Sequence, residues 1–285
     1  MPRRPYGKTD VKLSVIGMGG IVVSKVEQQR VDRIVAEAVE RGVNYFDVAP
    51  SYGDAESRLG PALQPYRKRV FLACKTRERR REGAEAELKR SLERLRTDHF
   101  DLYQLHGLNS VKEDVDVAFS KGGAMEVLLE AKRSGQVRFL GFSAHSVEAA
   151  LAALDRYEFD SVLFPINFAC WMKNNFGPQV IERAKSQGSA VLALKAMARQ
   201  RWPKDDPQRK KYSKCYYQPV TDPREADLAV RFCLSQPVTA AIPPGDESLF
   251  RMALDIASRF KPITAEERNE LDGMAKTLET IFPRA

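Results

Sequence analysis

The feature that most constrains the fold is a regular alternation of short apolar segments and longer amphipathic segments along the chain. Eight short segments are rich in β-branched or aromatic residues and end in Gly, Pro or polar residues, as strands do. They are Val15–Gly20, Tyr45–Pro50, Val70–Lys75, Phe100–Gly107, Val137–Ser143, Ser161–Asn167, Ala190–Ala196 and Thr239–Gly245. Strands that alternate with helices run parallel with right-handed crossovers, and eight such units can close into a barrel.

The segments between these strands have the period of amphipathic helices. One helix is predicted from Glu27 to Gly42, and a second from Gly83 to Arg96, with leucines spaced three and four residues apart. Further helices are predicted at Ala124–Ser134, Val147–Tyr157, Val180–Gln187, Arg224–Ser235 and Leu249–Phe260. A last helix begins at Thr264, where Glu267 three residues later indicates a capping box.

We therefore predict an α/β protein in which residues 1–285 form one domain, a (β/α)8 TIM barrel with an N-terminal β-hairpin and a C-terminal helix. The hairpin strands are Arg3–Tyr6 and Val11–Ser14. An open doubly wound sheet is the alternative, but it would offer a GxGxxG turn after its first strand, and the Gly17–Gly20 segment lacks that spacing. The longest irregular stretch, about Ala198–Asp222, is expected to be functional or mobile.

Composition narrows the class of protein. The chain is 43% hydrophobic and 29% charged, which is ordinary for a globular protein, and it has no apolar run of the roughly 18 residues that a membrane span needs. Its N-terminus lacks the pattern of a secretory signal. The four cysteines are scattered without a CxxC pair, so we expect free thiols, no metal site and a cytoplasmic location.

The net charge of +8 comes largely from two basic runs, Lys75–Arg81 and Arg199–Lys214. These runs could be solvated loop surface, or they could form a mouth that attracts an anionic cofactor or substrate. We do not expect nucleic-acid binding, because no nucleic-acid module accompanies the charge.

Side chains that could carry chemistry stand at the carboxyl ends of three neighbouring strands, which face one pocket in a parallel barrel. The second strand leads into Asp47 and Tyr52, the third ends at Lys75 and the fourth at His106. A tyrosine hydroxyl titrates near pH ~10, and a neighbouring ammonium group would lower its pKa. A carboxylate behind the lysine would keep it charged, and the histidine could orient a carbonyl oxygen or help to move the proton.

Together these four residues predict a site that exchanges a proton with an oxygen whose carbon gains or loses a hydride. The hydride has to come from a cofactor, because no side chain supplies one. Taken singly, each of the four also has an ordinary structural interpretation, and it is their convergence that favours catalysis.

Several segments resemble the aldo-keto reductase superfamily over nearly the whole chain. They are YGKTDVKLSVIGMGG, FDVAPSYG, LRTDHFDLYQLHG, VRFLGFSAHS and RFCLSQPVTAAIPPG. The resemblance implies NAD(P)-dependent interconversion of an alcohol and a carbonyl compound (an aldehyde, a ketone or a sugar), with NADP or NAD bound to a barrel that has no Rossmann domain. It also implies that Asp47, Tyr52, Lys75 and His106 are the catalytic tetrad.

The resemblance assigns the cofactor less completely. Ser143 matches the residue that helps to hold the nicotinamide carboxamide, and Asn167 falls on the family's Tyr-Asn position. Lys195 suits a pyrophosphate partner, and Gly245 would let backbone amides approach phosphate oxygens at a helix N-terminus. The chain departs from the family at three positions where Asn, Gln and an aromatic residue are common; these are Ala144, Leu163 and Leu194.

After the eighth strand, Ser248 and Arg251 are candidates for binding the adenosine end of the cofactor. The acidic pair Asp246 and Glu247 would repel a 2′-phosphate. This predicts a modest preference for NAD over NADP, unless Arg251 or the second basic run supplies positive charge.

Loop residues are expected to set the substrate specificity. His145 could be a second polar group above the substrate, but we favour a role at the start of a helix, beside Ser146. An aromatic and apolar pocket could be lined by Met18, Ile21, Phe168, Trp171, Trp202, Tyr212, Tyr216 and Tyr217. Two other functions stay open. One is a nucleotide-binding regulatory subunit with slow turnover, and the other is a sugar-modifying enzyme that retains NAD through an elimination or epimerisation.

Overall fold

The computed structural model describes residues 1–282, so residues 283–285 of the predicted domain lie outside the described part. Its strands are β1 (Arg3–Pro5), β2 (Lys12–Ser14), β3 (Met18–Gly19), β4 (Tyr45–Asp47), β5 (Phe71–Thr76), β6 (Phe100–Leu108), β7 (Val137–Ala144), β8 (Ser161–Pro165), β9 (Ala190–Leu194), β10 (Ala198–Gln200), β11 (Gln218–Pro219) and β12 (Ala240–Ile242). Its α-helices are α1 (Gln28–Glu40), α2 (Ala55–Leu63), α3 (Arg81–Leu95), α4 (Asp116–Phe119), α5 (Ala124–Arg133), α6 (Val147–Arg156), α7 (Phe168–Asn174), α8 (Pro178–Gln187), α9 (Gln208–Lys211), α10 (Pro223–Ser235), α11 (Glu247–Ser258) and α12 (Ala265–Thr277).

Eight parallel strands form the barrel wall in the order β12, β9, β8, β7, β6, β5, β4, β3. The wall closes between its first and last strands, because the Gly17 amide donates to the Ala241 carbonyl and the Ala241 amide donates to the Val15 carbonyl, each over 2.9 Å. The prediction of a (β/α)8 barrel is therefore confirmed. β12 ends before the predicted Gly245 because Pro243 and Pro244 have no amide hydrogen for a sheet.

The N-terminal hairpin closes the amino end of the barrel. β1 and β2 pair antiparallel, as predicted, and the turn between them holds Tyr6 inside the barrel. The Tyr6 hydroxyl donates to Ser161 Oγ over 2.8 Å. A layer of apolar side chains lies above it and includes Tyr45, Phe71 and Leu102. Because this end is filled, an open cavity can form only at the carboxyl ends of the strands.

The larger part of the core lies between the outer face of the strands and the surrounding helices. The eight predicted helices are present with boundaries shifted by a few residues, and α12 begins with the predicted capping box of Thr264 and Glu267. The prediction missed α2, which contains Pro61, and the short helices α4, α7 and α9. It also missed the hairpin of β10 and β11 inside the long irregular stretch.

The structure also bears on the predictions about thiols, metal sites and membrane spans. Cys74, Cys170, Cys215 and Cys233 are all buried and form no disulfide. Over residues 1–282, the His, Cys, Asp and Glu side chains form no cluster that could hold a metal ion. None of the helices in that range is both long enough and apolar enough to cross a membrane.

Candidate active site

A cavity of about 350 Å³ opens at the carboxyl ends of the barrel strands. Its wall includes all four predicted catalytic residues, Asp47, Tyr52, Lys75 and His106. Parallel pairing explains why they meet, since Asp47 lies opposite Ala73 of β5 and Lys75 follows two residues later on the same face. The sequence prediction that these side chains share one pocket therefore agrees with the structure.

Asp47 and Lys75 form an ion pair at the bottom of the cavity. Lys75 is fully buried and Asp47 is 2% exposed. Lys75 Nζ donates to Asp47 Oδ1, and the second carboxylate oxygen accepts from the Tyr45 hydroxyl at 3.1 Å and from Gln104 Nε2 at 3.0 Å. Burial alone would lower the pKa of Lys75, but the charges of Asp47 and Tyr52 and the hydrogen bond to Asp47 together outweigh it, and the pKa is raised. Lys75 is therefore held as an ammonium ion.

Tyr52 lies beside this pair on the turn that follows β4. Lys75 Nζ is 5.5 Å from the centre of the Tyr52 ring, and the His106 ring meets it edge-on at 5.7 Å. The pKa of Tyr52 is raised, because burial outweighs the opposing effect of Lys75. The expectation that the lysine would bring this pKa below its ordinary value is wrong, since it left out the desolvation of the phenolate.

His106 stands at the end of β6, with its Nδ1 atom 3.5 Å from Ser51 Oγ. Burial and the nearby cations Lys75 and Arg77 lower its pKa to about 2. The ring is thus a neutral imidazole near pH 7. Of the two roles predicted for it, orienting an oxygen suits a neutral ring better than acting as an acid.

Three of the six predicted cofactor residues line the cavity, namely Ser143, Lys195 and Gly245. Ser143 Oγ accepts from the Gly107 amide at 2.8 Å, which leaves its own hydrogen free to donate. Gly245 has no room for a side chain, because a Cβ atom there would come within 1.9 Å of Ile21 Cγ2. Lys195 Nζ lies over the Tyr216 ring at 4.7 Å, and burial lowers its pKa to about 8.

The other three predicted cofactor residues do not line the cavity. Asn167 caps α7, with its Oδ1 accepting from the Cys170 amide at 3.0 Å. Ser248 bonds to Asp246 at the start of α11. Arg251 is held on the outer surface by Glu37 and Glu247 at 2.7 and 2.6 Å. Leu163 and Leu194, two of the departures from the family, do line the cavity.

The predicted apolar pocket is present in part. Ile21, Tyr216 and Tyr217 line the cavity, and so does His145. The remaining members of the predicted set pack in the core or against it; they are Met18, Phe168, Trp171, Trp202 and Tyr212.

The sequence prediction missed two cations of the cavity wall, Arg77 and Lys214. Arg77 comes from the first basic run and Lys214 from the end of the second, and both line the cavity. Lys214 Nζ donates to the Val22 carbonyl at 2.8 Å, which ties the long loop to the segment after β3. The two basic runs were the feature of the sequence that could have indicated these residues. The positions of Arg77 and Lys214 favour the interpretation that the runs help to form a mouth that attracts anions.

Comparisons with known proteins point to one family and one fold. Residues 15–275 match the model of the aldo/keto reductase family. The chain is 33% identical over 158 residues to the uncharacterized oxidoreductase YqkF of Bacillus subtilis, a match that covers 50% of this chain and 49% of that protein. It is 28% identical over 212 residues to L-galactose dehydrogenase of Arabidopsis thaliana, which covers 68% of this chain and 65% of that enzyme.

Similarity to solved structures extends over the whole barrel. The holo form of the aldo-keto reductase AKR11C1 from Bacillus halodurans superposes with a TM-score of 0.76 at 23% identity, covering 100% of both chains. At that identity the likeness supports the fold alone. The chain spans about half the length of the first curated relatives that it matches, with shares of 49% and 46%.

Proposed function

The chain belongs to the aldo/keto reductase family of oxidoreductases, and we propose that it interconverts an alcohol and an aldehyde, ketone or sugar carbonyl with Tyr52 as the proton donor or acceptor. The observation that carries this proposal is the buried ion pair of Lys75 and Asp47 against Tyr52 and His106. We also propose that residues 1–285 form one domain, because the described helices pack around one barrel.

The cavity wall fits a nicotinamide nucleotide. Gly245 lines the cavity where Ile21 fills the place that a side chain would take, and Lys195 and Lys214 line the same cavity and provide positive charge for phosphate oxygens. Ser143 has a hydroxyl hydrogen that can be donated to a carboxamide. When bound, NADPH or NADH would supply the hydride that no side chain can provide.

The side chains account for the movement of the proton. Because the pKa of Tyr52 is raised, its hydroxyl is protonated near pH 7 and can donate to an oxygen that becomes an alkoxide. Lys75, kept charged by Asp47, stabilises the phenolate that remains. In the reverse direction the same phenolate accepts the proton. His106 stays neutral and orients the carbonyl oxygen by a hydrogen bond.

We infer that the cofactor preference is for NAD, and that it is modest. The charge of Arg251 is already matched by Glu37 and Glu247, so this arginine is poorly placed for a 2′-phosphate. The repulsion from Glu247 is in turn weakened by Arg30 at 2.8 Å. Saturation curves for NADPH and NADH test the inference, and NADPH binding at least about tenfold tighter, or ~1.4 kcal/mol, would contradict it.

The decisive experiment compares wild-type protein with Tyr52→Phe on a panel of aldehydes, ketones and sugars. Loss of the hydroxyl is expected to lower kcat by about 100-fold or more, the range of general acid catalysis, with cofactor binding retained. Tyr157→Phe is the matched control, since Tyr157 does not line the cavity. Undiminished turnover in Tyr52→Phe would remove Tyr52 from its role. Tight nucleotide binding without any turnover would instead indicate the regulatory or retained-cofactor function.

The L-galactose dehydrogenase relative supports a sugar or another small polar carbonyl compound as the substrate. A cavity of about 350 Å³ agrees with a small molecule.

A further inference from the structure

One wall of the cavity has no part in the proton transfer described above. It includes Arg77, Asn109 and His145. Asn109 Nδ2 donates to the Gly107 carbonyl at 2.7 Å and the His145 amide donates to the Leu108 carbonyl at 3.0 Å, at the end of the strand that carries His106. We propose that Arg77 is a specificity-determining residue that binds a carboxylate of the substrate, so that the preferred substrate is an aldehyde or ketone bearing an acid group. This inference rests on the proposed carbonyl–alcohol chemistry and names the class of compound that undergoes it.

The backbone aims Arg77 at the reacting end of the cavity. It follows β5 directly and stands two residues after Lys75, so the two side chains leave the chain toward the same side. The Arg77 amide donates to Glu87 Oε2 at 3.0 Å, which fixes the start of the loop. Burial is the main cause of the lowered pKa of His106 and of His145, and the guanidinium of Arg77 lies close enough to both rings to lower these pKa values further.

The neighbouring arginines of the same basic run show what sets Arg77 apart. Arg79 pairs with Asp114 at 2.8 Å, and Arg81 pairs with Glu130 at 2.5 Å. Within the part of the chain that the structure describes, Arg77 has no such carboxylate partner, although it lines the cavity. Arg80 of the run also pairs with no carboxylate among the described residues, but it does not line the cavity, so Arg77 is the arginine of the run that is available there.

The charges of the cavity wall leave one cation unmatched. Asp47 is the one acidic side chain among the described lining residues, and it is held by Lys75. Lys195 and Lys214 line the same cavity as Gly245, where the two charges of a pyrophosphate would neutralise them. Arg77 remains. A guanidinium matches a carboxylate with two parallel hydrogen bonds, and one unmatched cation suits this single charge better than a phosphate dianion.

The test uses pairs of aldehydes in which a methyl group replaces the carboxylate. kcat/KM is measured for 4-carboxybenzaldehyde and 4-methylbenzaldehyde, and for 4-oxobutanoate and butanal, with wild type, Arg77→Met and Arg77→Lys. Arg90→Met is the matched control, because it removes one positive charge from an exposed position of α3 outside the cavity. Calorimetry of the two aromatic aldehydes with the oxidised cofactor present gives their binding without reduction.

Wild type is expected to prefer the acid of each pair by roughly 10-fold or more, the worth of one hydrogen bond to a charged group. Arg77→Met should bring this ratio near one, mainly by raising KM for the acid, and Arg77→Lys should restore part of it. Arg90→Met should keep the wild-type ratio.

The possible failures are distinguishable. Turnover of both aldehydes with a ratio that Arg77→Met does not change would overturn the inference and leave the proposed function standing. Binding of the acid that depends on Arg77, with no turnover of any aldehyde, would support acid recognition and overturn the proposed function. Absence of both binding and turnover would overturn both.

Discussion

Asp47→Asn tests how much the Lys75–Asp47 pair contributes to the free energy of unfolding, because the substitution removes one charge and keeps the shape. Lys75 is fully buried, so its ammonium ion would be left without a partner. Breaking a buried pair in this way costs about 3–5 kcal/mol, whereas an exposed pair contributes about 0–1 kcal/mol. Asp255→Asn is the matched control, since Asp255 is 65% exposed and pairs with Arg41.

The pH dependence gives the same variant a second signature. In wild type the pKa of Lys75 is raised, so its contribution to stability is complete below the unfolded pKa of ~10.4 and is lost only as the pH rises through the folded value. In Asp47→Asn, burial acts without the carboxylate and should bring the folded pKa of Lys75 below its unfolded value. The unfolded state then binds more protons, so the free energy of unfolding rises with pH by up to about 1.4 kcal/mol per unit.

Urea denaturation at pH 7, 8 and 9 measures both effects as the difference between each variant and wild type. Asp47→Asn should lose about 3–5 kcal/mol at pH 7 and regain part of it by pH 9, while Asp255→Asn stays within about 1 kcal/mol throughout. Equal losses in the two variants would refute the reasoning. So would a deficit of Asp47→Asn that does not shrink as the pH rises.

Two further predictions concern the cavity. Gly245→Ala places a Cβ atom within 1.9 Å of Ile21, which also lines the cavity, so we expect nucleotide affinity to fall about 10-fold, or ~1.4 kcal/mol, in a fluorescence titration. Gly273→Ala is the control: it lies in α12, where nothing is within 4 Å of the added Cβ atom, and it should bind the nucleotide as wild type does. Because the pKa of His106 is about 2, kcat/KM should show no ionisation near the ordinary histidine pKa of ~6.5 between pH 5 and 8, and a step there would mean that the ring is charged in the free enzyme.

Much of the fold could be predicted because each unit of the barrel repeats the same local signals. The prediction failed where a local signal contradicted the outcome. α2 contains Gly60 and Pro61, two residues that disfavour a helix interior, yet the segment is helical and packs closely on the end of α3. The hairpin of β10 and β11 pairs residues about 20 positions apart across a loop that has no alternating pattern.

The candidate site could also be predicted only in part. Asp47, Tyr52, Lys75 and His106 could be placed together because strand ends meet by topology alone. Arg251 could not be placed, because its position depends on Glu37 of α1, which is 214 residues away in the chain. The pKa of Tyr52 was also misjudged, since it depends on how completely the fold removes water from the phenol.

The hairpin at the amino end affects how the cavity exchanges protons with the solution. With Tyr6 packed beneath the apolar layer of the barrel, the cavity is closed toward the amino end and has its entrance at the carboxyl ends of the strands. Any molecule seated in that entrance separates Lys75 and Asp47 from bulk water. We therefore expect the ion pair to exchange protons with the solution more slowly while a molecule is bound there than when the cavity is empty.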